Sequence, residues 1–450
     1  MLCVSTCLKD DVEAAKKYGC AVEMRLSALE ELPEAMPTML TIMDPLQVDL
    51  ALSLAALGPE WLSLPWDMPL EVFQTVKANW PQVKIIAAYH DFEKTGGLDQ
   101  IYALCREIPC DMIKMVTMAN SSLDSLRMMV FLKEHADEFL LTAFCMGTFG
   151  SFSRVMAPTL GSQIAFCSLP GKPTAPGQLS VEELLQTYHY HSLTRKTKLF
   201  ALIGSPIDHS LSYITHNALF RKVGADAVYV KIPLERHEFE EGFTYLSNLG
   251  ITGLSVTRPL KDCFTPLANT VRCFKDQIET CTTDGVGMGD ALEQYGALAG
   301  KRAIVLGAGP TASAIIQELL LRGADVFIAN RTEEKAKKMA EHLGCLHVSW
   351  DLPSLLTQPY DILVNATSVG MVGEESSLPI EEIYLRQTAI VADVISSGET
   401  ALLQMAKKRG CTIVTGREMW LRQAAHQFHF WDSSLRPADV LPILREIMPG

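Results

Sequence analysis

Short apolar runs alternate with helical stretches along the first 170 residues. Runs at Leu2–Thr6, Ala21–Arg25, Met39–Met43, Trp61–Leu64, Lys84–Tyr89, Met112–Val116, Leu140–Cys145 and Ile164–Ser168 are strand-length and mostly apolar. Helical spacing fills segments between them, as in Pro69–Asn79 and Asp99–Arg106. Eight such βα units predict a (β/α)8 barrel, short for its class. Ser180–Tyr190 reads as one more helix, and Ser192–Lys198 as a short polar connector. The pattern restarts with strands at Phe200–Ile203, which leads to a helix from about Thr215, and at Gly253–Val256. Farther on, the strand Ala303–Leu306 is followed by helical spacing from Thr311 to Arg322, a stop at Gly323 and a strand at Asp325–Ala329. The chain is α/β throughout.

That last strand–turn–helix–strand unit carries Gly307-Ala308-Gly309-Pro310-Thr311-Ala312, which is G-x-G-x-x-(G/A) spacing. Gly307 permits a tight turn, Gly309 admits a pyrophosphate close to the backbone, and Ala312 lets the helix approach the sheet. The free N–H groups of the helix start would hold the anion. An NAD site usually ends its second strand in Asp or Glu. The corresponding residues are Asn330, Arg331 and Thr332, and the arginine suits a 2′-phosphate, so the cofactor expected is NADP.

Composition narrows the partners. The chain has 450 residues, 48% hydrophobic and 20% charged, which gives ample material for two to four cores. A net charge of −13 without a basic block argues against nucleic acid and anionic membrane surfaces. Twelve cysteines, none in C-x-x-C, and several within apolar runs, point to a reducing compartment with neither a disulfide framework nor a zinc site. The motif Tyr188-His189-Tyr190-His191 has no third ligand nearby, so no metal is expected. With no apolar run of membrane-spanning length and no leader-like start, the expected location is the cytoplasm.

A barrel keeps its chemistry at the C-terminal ends of its strands. Glu23 and Arg25 close the second strand on one face, His90 closes the fifth, Lys114 lies within the sixth, and Arg154 follows the seventh. A lysine in an apolar strand loses solvation, which lowers its pKa and makes it a nucleophile towards carbonyls. A histidine beside it can move protons, and rim arginines suit a carboxylate. In the second half Ser210 and Ser212 lie in a strand–loop–helix turn, and Lys261 and Asp284 form a candidate proton relay for hydride transfer at a carbinol carbon.

Several of these motifs occur together in known families. Glu23-Met24-Arg25, Tyr89–Phe92, Asp111–Ala119, Met146-Gly147 with Ser153-Arg154, and Thr174–Gln178 resemble a type I 3-dehydroquinate dehydratase over residues 1–190. The resemblance implies a Schiff base on Lys114 and proton transfer by His90. Glu23, Arg25, Arg154 and Gln178 would bind substrate, with Thr174 in a closing loop. Residues 199–450 are similar to shikimate dehydrogenase through Gly204–Ser212, Ser255–Lys261, Asn269-Thr270, Thr283–Gly285, Gly307–Ser313, Asn330–Thr332, Asn365–Met371 and Gly416…Gln423. There the resemblance makes Lys261 and Asp284 the catalytic pair. Ser210, Ser212, Thr257, Asn269 and Gln423 would bind substrate, and Thr367 and Gly416 would border the cofactor. Both likenesses have departures. Thr41–Pro45 lacks the Arg and Glu-Gly-Gly of the dehydratases, and Pro65 stands where an acid is usual. Tyr213 replaces a proline, a helix between Lys261 and Asn269 is shortened away, and Ser396 stands near an expected tyrosine.

The expected organisation is a dehydratase-like barrel over 1–192, a substrate domain over 199–290 plus 416–450, and a Rossmann NADP domain over 300–415. The expected function is a bifunctional one: 3-dehydroquinate to 3-dehydroshikimate, then NADPH-dependent reduction to shikimate. Two other readings stay open. One is a shikimate or quinate dehydrogenase with an impaired dehydratase half, which Arg331 and Thr283 disfavour for quinate with NAD. The other is a non-catalytic sensor of pathway intermediates, against which Lys114, His90, Lys261 and Asp284 stand intact.

Overall fold

The computed structural model describes residues 1–274, 277–371, 382–396 and 398–448. Two compact units emerge, Met1–Leu260 and Lys261–Gly450.

In the first unit the strands are β1 (Leu2–Thr6), β2 (Ala21–Arg25), β3 (Met39–Thr41), β4 (Trp61–Pro65), β5 (Lys84–Asp91), β6 (Met112–Met118), β7 (Leu141–Met146) and β8 (Ala165–Cys167). They pair in parallel in the order β7-β6-β5-β4-β3-β2-β1-β8. At the seam, Gln163 N donates to Leu141 O at 3.0 Å, and Ile164 N donates to the Thr142 hydroxyl at 3.0 Å. The barrel expected from eight βα units is therefore present and nearly closed. Its interior follows the period of two along each strand: Cys3, Met39, Ile86, Met112, Val116, Phe144 and Phe166 meet in one apolar cluster. β5 and β6 run farther than the apolar pattern indicates, because Asp91 and Thr117 still pair in register.

The helix expected over Ser180–Tyr190 spans only Val181–Gln186. His189 sits at φ 49° in the left-handed region, which ends the helical path, and a turn at Tyr190–Ser192 follows. The same unit continues with β9 (Lys198–Gly204), β10 (Ala227–Pro233) and β11 (Ile251–Val256), parallel, with β9 between the other two. The helix after β9 begins at Ser212 rather than Thr215. This lobe is joined to the barrel through helices Ser122–His135 and Phe239–Leu249. The Ser122 hydroxyl donates to Pro233 O, and Lys133 Nζ donates to Asn248 O at 2.6 Å. The first unit runs to Leu260.

The second unit opens with the hairpin β12 (Thr270–Phe274) and β13 (Gln277–Cys281), which the apolar pattern did not indicate. It continues with β14 (Arg302–Leu306), β15 (Asp325–Ala329), β16 (Leu346–His347), β17 (Ile362–Asn365), β18 (Ile390–Asp393) and β19 (Thr412–Val414). The last six form a parallel sheet in the order β16-β15-β14-β17-β18-β19, doubly wound about β14. Apolar clusters cover both faces of this sheet. Among the described residues no helix is long and apolar enough to cross a membrane.

Candidate active sites

On β6, Met112, Lys114 and Val116 share the barrel's inward face. Lys114 is 1% exposed, and its Nζ lies 3.1 Å from Oε1 of Glu23, which is wholly buried. The Phe166 ring centroid stands 3.7 Å from the same Nζ. Burial pushes the Lys114 pKa below its ordinary value, against the pull of the Glu23 charge. Burial alone would raise Glu23, but the charges of Lys114 and Arg25 hold its carboxyl well below the usual range. The carboxylate thus stays ionised while the amine moves towards its neutral, nucleophilic form.

Arg25, His90, Lys114, Arg154, Thr174 and Gln178 line one cavity at the C-terminal end of the barrel. Burial, then the charges of Lys114 and Arg25, bring the His90 pKa down to about 3, so its imidazole is a neutral base. Its ring stacks on Phe92, centroids 5.9 Å apart. Arg154 is 2% exposed and uses Nη1 on Phe166 O at 3.3 Å. Its Nε and Nη2, and Nε2 of Gln178, are buried without a hydrogen-bond partner among the described residues. Burial and the nearby Arg25 lower the Arg154 pKa to about 10, the signature of a guanidinium without a counter-ion. Leaving such donors unpaired is costly, so the cavity fits an oxygen-rich anion that would satisfy them. The loop that carries Thr174 and Gln178 is docked over the barrel end. Arg25 Nη1 donates to Thr174 O at 3.2 Å, Gln178 Oε1 accepts from Thr174 N at 2.8 Å, and Gly147 N donates to Pro176 O at 3.1 Å.

Glu23 lies behind the cavity wall, against Lys114. Its oxygens are occupied by Lys114, by Arg25 Nε at 3.4 Å and by the Thr41 hydroxyl at 2.9 Å. Phe144 and Phe166 were not singled out from sequence, yet Arg154 lies over the first ring and Lys114 over the second. The alternation of β7 and β8 could have placed them inside the barrel. After β3, where the dehydratase resemblance lapses, Met43 supplies an apolar wall to the cavity.

In the β9–β11 lobe, Ser210 and Ser212 follow β9, and their hydroxyls lie 3.1 Å apart. Thr257 follows β11, and its N donates to Ile203 O at 3.0 Å. A Cβ on Gly204, at φ 139°, would meet Thr257 Cγ2 at 2.5 Å, so glycine is required where the two strand ends converge.

In the second unit, Lys261 starts a short turn, and Asp284 starts the helix Asp284–Glu293. Lys261 Nζ donates to Asp284 Oδ2. Asn269 Nδ2 donates to Asp284 Oδ1 at 2.7 Å and to the Thr283 hydroxyl at 3.0 Å, and it lies 3.3 Å from Gln423 Oε1. The short link after Lys261 achieves this because Ala268 N donates to Lys261 O at 3.1 Å, turning the chain straight back. A Cβ on Gly287 would meet Gln423 N at 2.8 Å, so a bare helix face lets the helix Gly416–Trp431 bring Gln423 in.

The glycine loop follows β14. Gly307 has φ 112°, and a Cβ there would strike Ala366 O at 2.9 Å and Thr367 Cγ2 at 3.1 Å. Gly309 and Pro310 start the helix Pro310–Leu321, and Ala312, its third residue, is fully buried. Asn330 holds Thr332 O at 2.9 Å, and the exposed Arg331 makes no ion pair among the described residues. Thr367 donates to Asn365 Oδ1 at 2.7 Å. Asn365 in turn donates to buried Asp393 at 3.1 Å, whose pKa burial raises. Gly416 lies against Ile395, where a Cβ would meet the carbonyl at 2.3 Å.

An eight-stranded barrel with a buried lysine at its cavity, and a doubly wound sheet with a glycine-rich turn, are the elements on which comparison with known families bears. The type I 3-dehydroquinase family matches residues 38–195, the shikimate dehydrogenase substrate binding domain matches 202–283, and the shikimate/quinate 5-dehydrogenase family matches 290–374. The first match begins after β2, although Arg25 on that strand lines the cavity. Over 443 residues the chain is 31% identical to the shikimate biosynthesis protein AroDE of Chlamydia pneumoniae, covering 91% of this chain and 89% of that one. The chain belongs to this family of fused 3-dehydroquinate dehydratase/shikimate dehydrogenases. Its second half is 39% identical over 249 residues to the shikimate dehydrogenase (NADP(+)) of Pyrococcus abyssi, 52% of this chain and 92% of that one. A crystal structure of shikimate 5-dehydrogenase from Thermus thermophilus, in complex with NADP(H) and shikimate, superposes with a TM-score of 0.50 at 26% identity, over 56% of this chain and all of the other.

Proposed function

We propose that the chain catalyses two consecutive steps, dehydration of 3-dehydroquinate to 3-dehydroshikimate and NADPH-dependent reduction of that product to shikimate. Family membership supports the pair of activities, and the buried Lys114 within reach of an anion-binding cavity is the observation that carries the first. In this reading the neutral Lys114 amine attacks the substrate ketone and loses water to form an imine. His90, as neutral base, takes the proton next to the imine carbon and returns it to the departing hydroxyl, which leaves as water. Arg154 and Arg25 hold the carboxylate, while Gln178 and Thr174 hold hydroxyls. Hydrolysis of the imine then frees Lys114.

In the second site, Lys261 and Asp284 deliver a proton to the carbonyl oxygen that becomes the new hydroxyl. Asn269 and Gln423 bind substrate oxygens beside this pair, and Ser210, Ser212 and Thr257 are the proposed substrate-binding groups of the β9–β11 lobe. The glycine turn against Ala366, the free start of the helix Pro310–Leu321 and the exposed Arg331 fit a 2′-phosphorylated dinucleotide. Gly307–Ala312 would hold its pyrophosphate, Asn330–Thr332 its ribose phosphate, and Thr367 and Gly416 its nicotinamide end. When bound, NADPH supplies the hydride. The proposed organisation is the barrel over 1–192, the substrate domain over 199–290 plus 416–450 and the cofactor domain over 300–415, with residues 275–276, 372–381, 397 and 449–450 outside those described. The proposed location is the cytoplasm, and the partners are small molecules rather than nucleic acid or membrane, in keeping with the acidic balance of −13.

Borohydride added with 3-dehydroquinate tests the first site. The expected product is a reduced covalent adduct on Lys114, mapped by peptide mass, and labelling of another lysine would contradict the assignment. For the second site, NADPH is expected to turn over faster than NADH at equal concentration, and Arg331→Ala is expected to narrow that gap.

A further inference from the structure

The Thr311 hydroxyl occupies a place that cofactor binding does not explain. Thr311 is the second residue of the helix Pro310–Leu321, whose first N–H groups have no partner within the helix. Its backbone therefore belongs to the phosphate-facing turn. Its side chain faces the other way. Oγ1 lies 3.4 Å from Lys261 Nζ and 3.4 Å from Asp284 Oδ2, while Lys261 and Asp284 bond directly to each other. One hydroxyl has two lone pairs and one proton, so it can accept from the ammonium and donate to the carboxylate at once. The three groups form a closed ring of polar contacts.

We propose that Thr311 is a positioning residue that ties the Lys261–Asp284 pair to the dinucleotide-binding turn. Lys261 sits in a three-residue turn without helix or strand support and has a long, rotatable side chain, so it needs a second contact to hold one orientation. Asp284 is already fixed by Asn269. Thr311 adds a contact from the element that binds the cofactor. When pyrophosphate fixes the helix start, the hydroxyl is fixed with it, and the amine is held on the carboxylate. Both distances are at the long end of the hydrogen-bond range. An alanine or glycine would serve the phosphate contact equally well, since that contact uses the backbone alone.

This inference rests on the dehydrogenase reading and can fail separately from it. The test compares wild type, Thr311→Val and Thr311→Ser in shikimate oxidation with NADP+, together with NADPH binding by fluorescence. Valine keeps the shape and loses the hydroxyl. The expected result for Thr311→Val is a kcat lower by roughly tenfold, the scale of one hydrogen bond to a charged group, with the NADPH Kd within about twofold of wild type. Thr311→Ser is expected to restore kcat. Intact NADPH binding shows that Thr311→Val is folded. A Thr311→Val enzyme with wild-type kcat would overturn the proposal, as would a Thr311→Ser enzyme as slow as Thr311→Val. A wild type that does not oxidise shikimate would instead refute the dehydrogenase reading itself.

Discussion

Both candidate sites are built on a lysine beside a carboxylate, and their surroundings differ. In the barrel, Lys114 and Glu23 have side-chain exposures of 2% and 0% and meet at 3.1 Å. In the second unit, Lys261 and Asp284 keep 15% and 10% exposure. The first lysine is sunk among Met112, Val116 and Phe166, where loss of solvation lowers its pKa. The second touches Asp284 and the Thr311 hydroxyl, and its carboxylate partner is held in turn by Asn269. An amine that must attack a carbonyl has to be neutral at the moment of attack, and burial favours that form. An amine that only passes a proton needs a partner and access to replenish the proton. The same residue pair thus serves covalent or proton-transfer chemistry according to what surrounds it.

The sharpest break in the comparison is loss of each lysine in turn. Lys114→Ala is expected to lower dehydration of 3-dehydroquinate by on the order of 10⁴-fold or more, the scale for removing a covalent nucleophile. Shikimate oxidation by the same protein should be unchanged. Lys261→Ala is expected to lower dehydrogenase kcat by roughly 10²–10⁴-fold, the range for a general acid–base group. NADPH binding should remain near wild type, and a near-normal kcat would remove Lys261 from the chemistry.

Stability should separate the pairs as well. Glu23→Gln leaves Lys114 and Arg25 facing a neutral amide in a dry interior, which should cost about 3–5 kcal/mol in urea unfolding. Asp284→Asn breaks the pair with Lys261 at a less enclosed site and keeps Asn269 as a hydrogen-bond partner, so it is expected to cost less, roughly 2 kcal/mol. Equal losses would mean that burial does not distinguish the two sites. The smallest effect is in pH dependence. His90, lowered to about 3, should stay neutral as pH falls through the ordinary histidine value of about 6.5. Its protonation should therefore contribute no acid limb to kcat/KM for dehydration near 6.5, and His90→Asn should reduce the rate without introducing one.

The barrel was legible because inward and outward positions alternate along short parallel strands. β1, β2 and β15 were bounded correctly from apolar patterning, and Lys114 stood out as a charge among apolar neighbours. What escaped was set by partners distant in sequence. Glu23 shares a strand face with Arg25, and only the 3.1 Å contact with Lys114, 91 residues away, shows that it is that lysine's counter-ion. The shortened link between Lys261 and Asn269 looked disruptive, yet one backbone hydrogen bond, Ala268 to Lys261, delivers Asn269 to Asp284. The hairpin β12–β13 lacks a continuous apolar run because Arg272 and Glu279 pair across it. Thr311 read as part of a phosphate loop, since sequence does not tell which way its hydroxyl points.

The central claim is that one chain holds two working sites in series, the first dependent on Lys114 and the second on Lys261. The most direct measurement is NADPH consumption by the purified chain, started with 3-dehydroquinate and, separately, with 3-dehydroshikimate. The account predicts oxidation of NADPH from both substrates in wild type, with shikimate as product. In Lys114→Ala, consumption should vanish from 3-dehydroquinate and persist from 3-dehydroshikimate, whereas Lys261→Ala should be slow from both. Undiminished NADPH consumption from 3-dehydroquinate in Lys114→Ala, or none from 3-dehydroquinate in wild type, would contradict it.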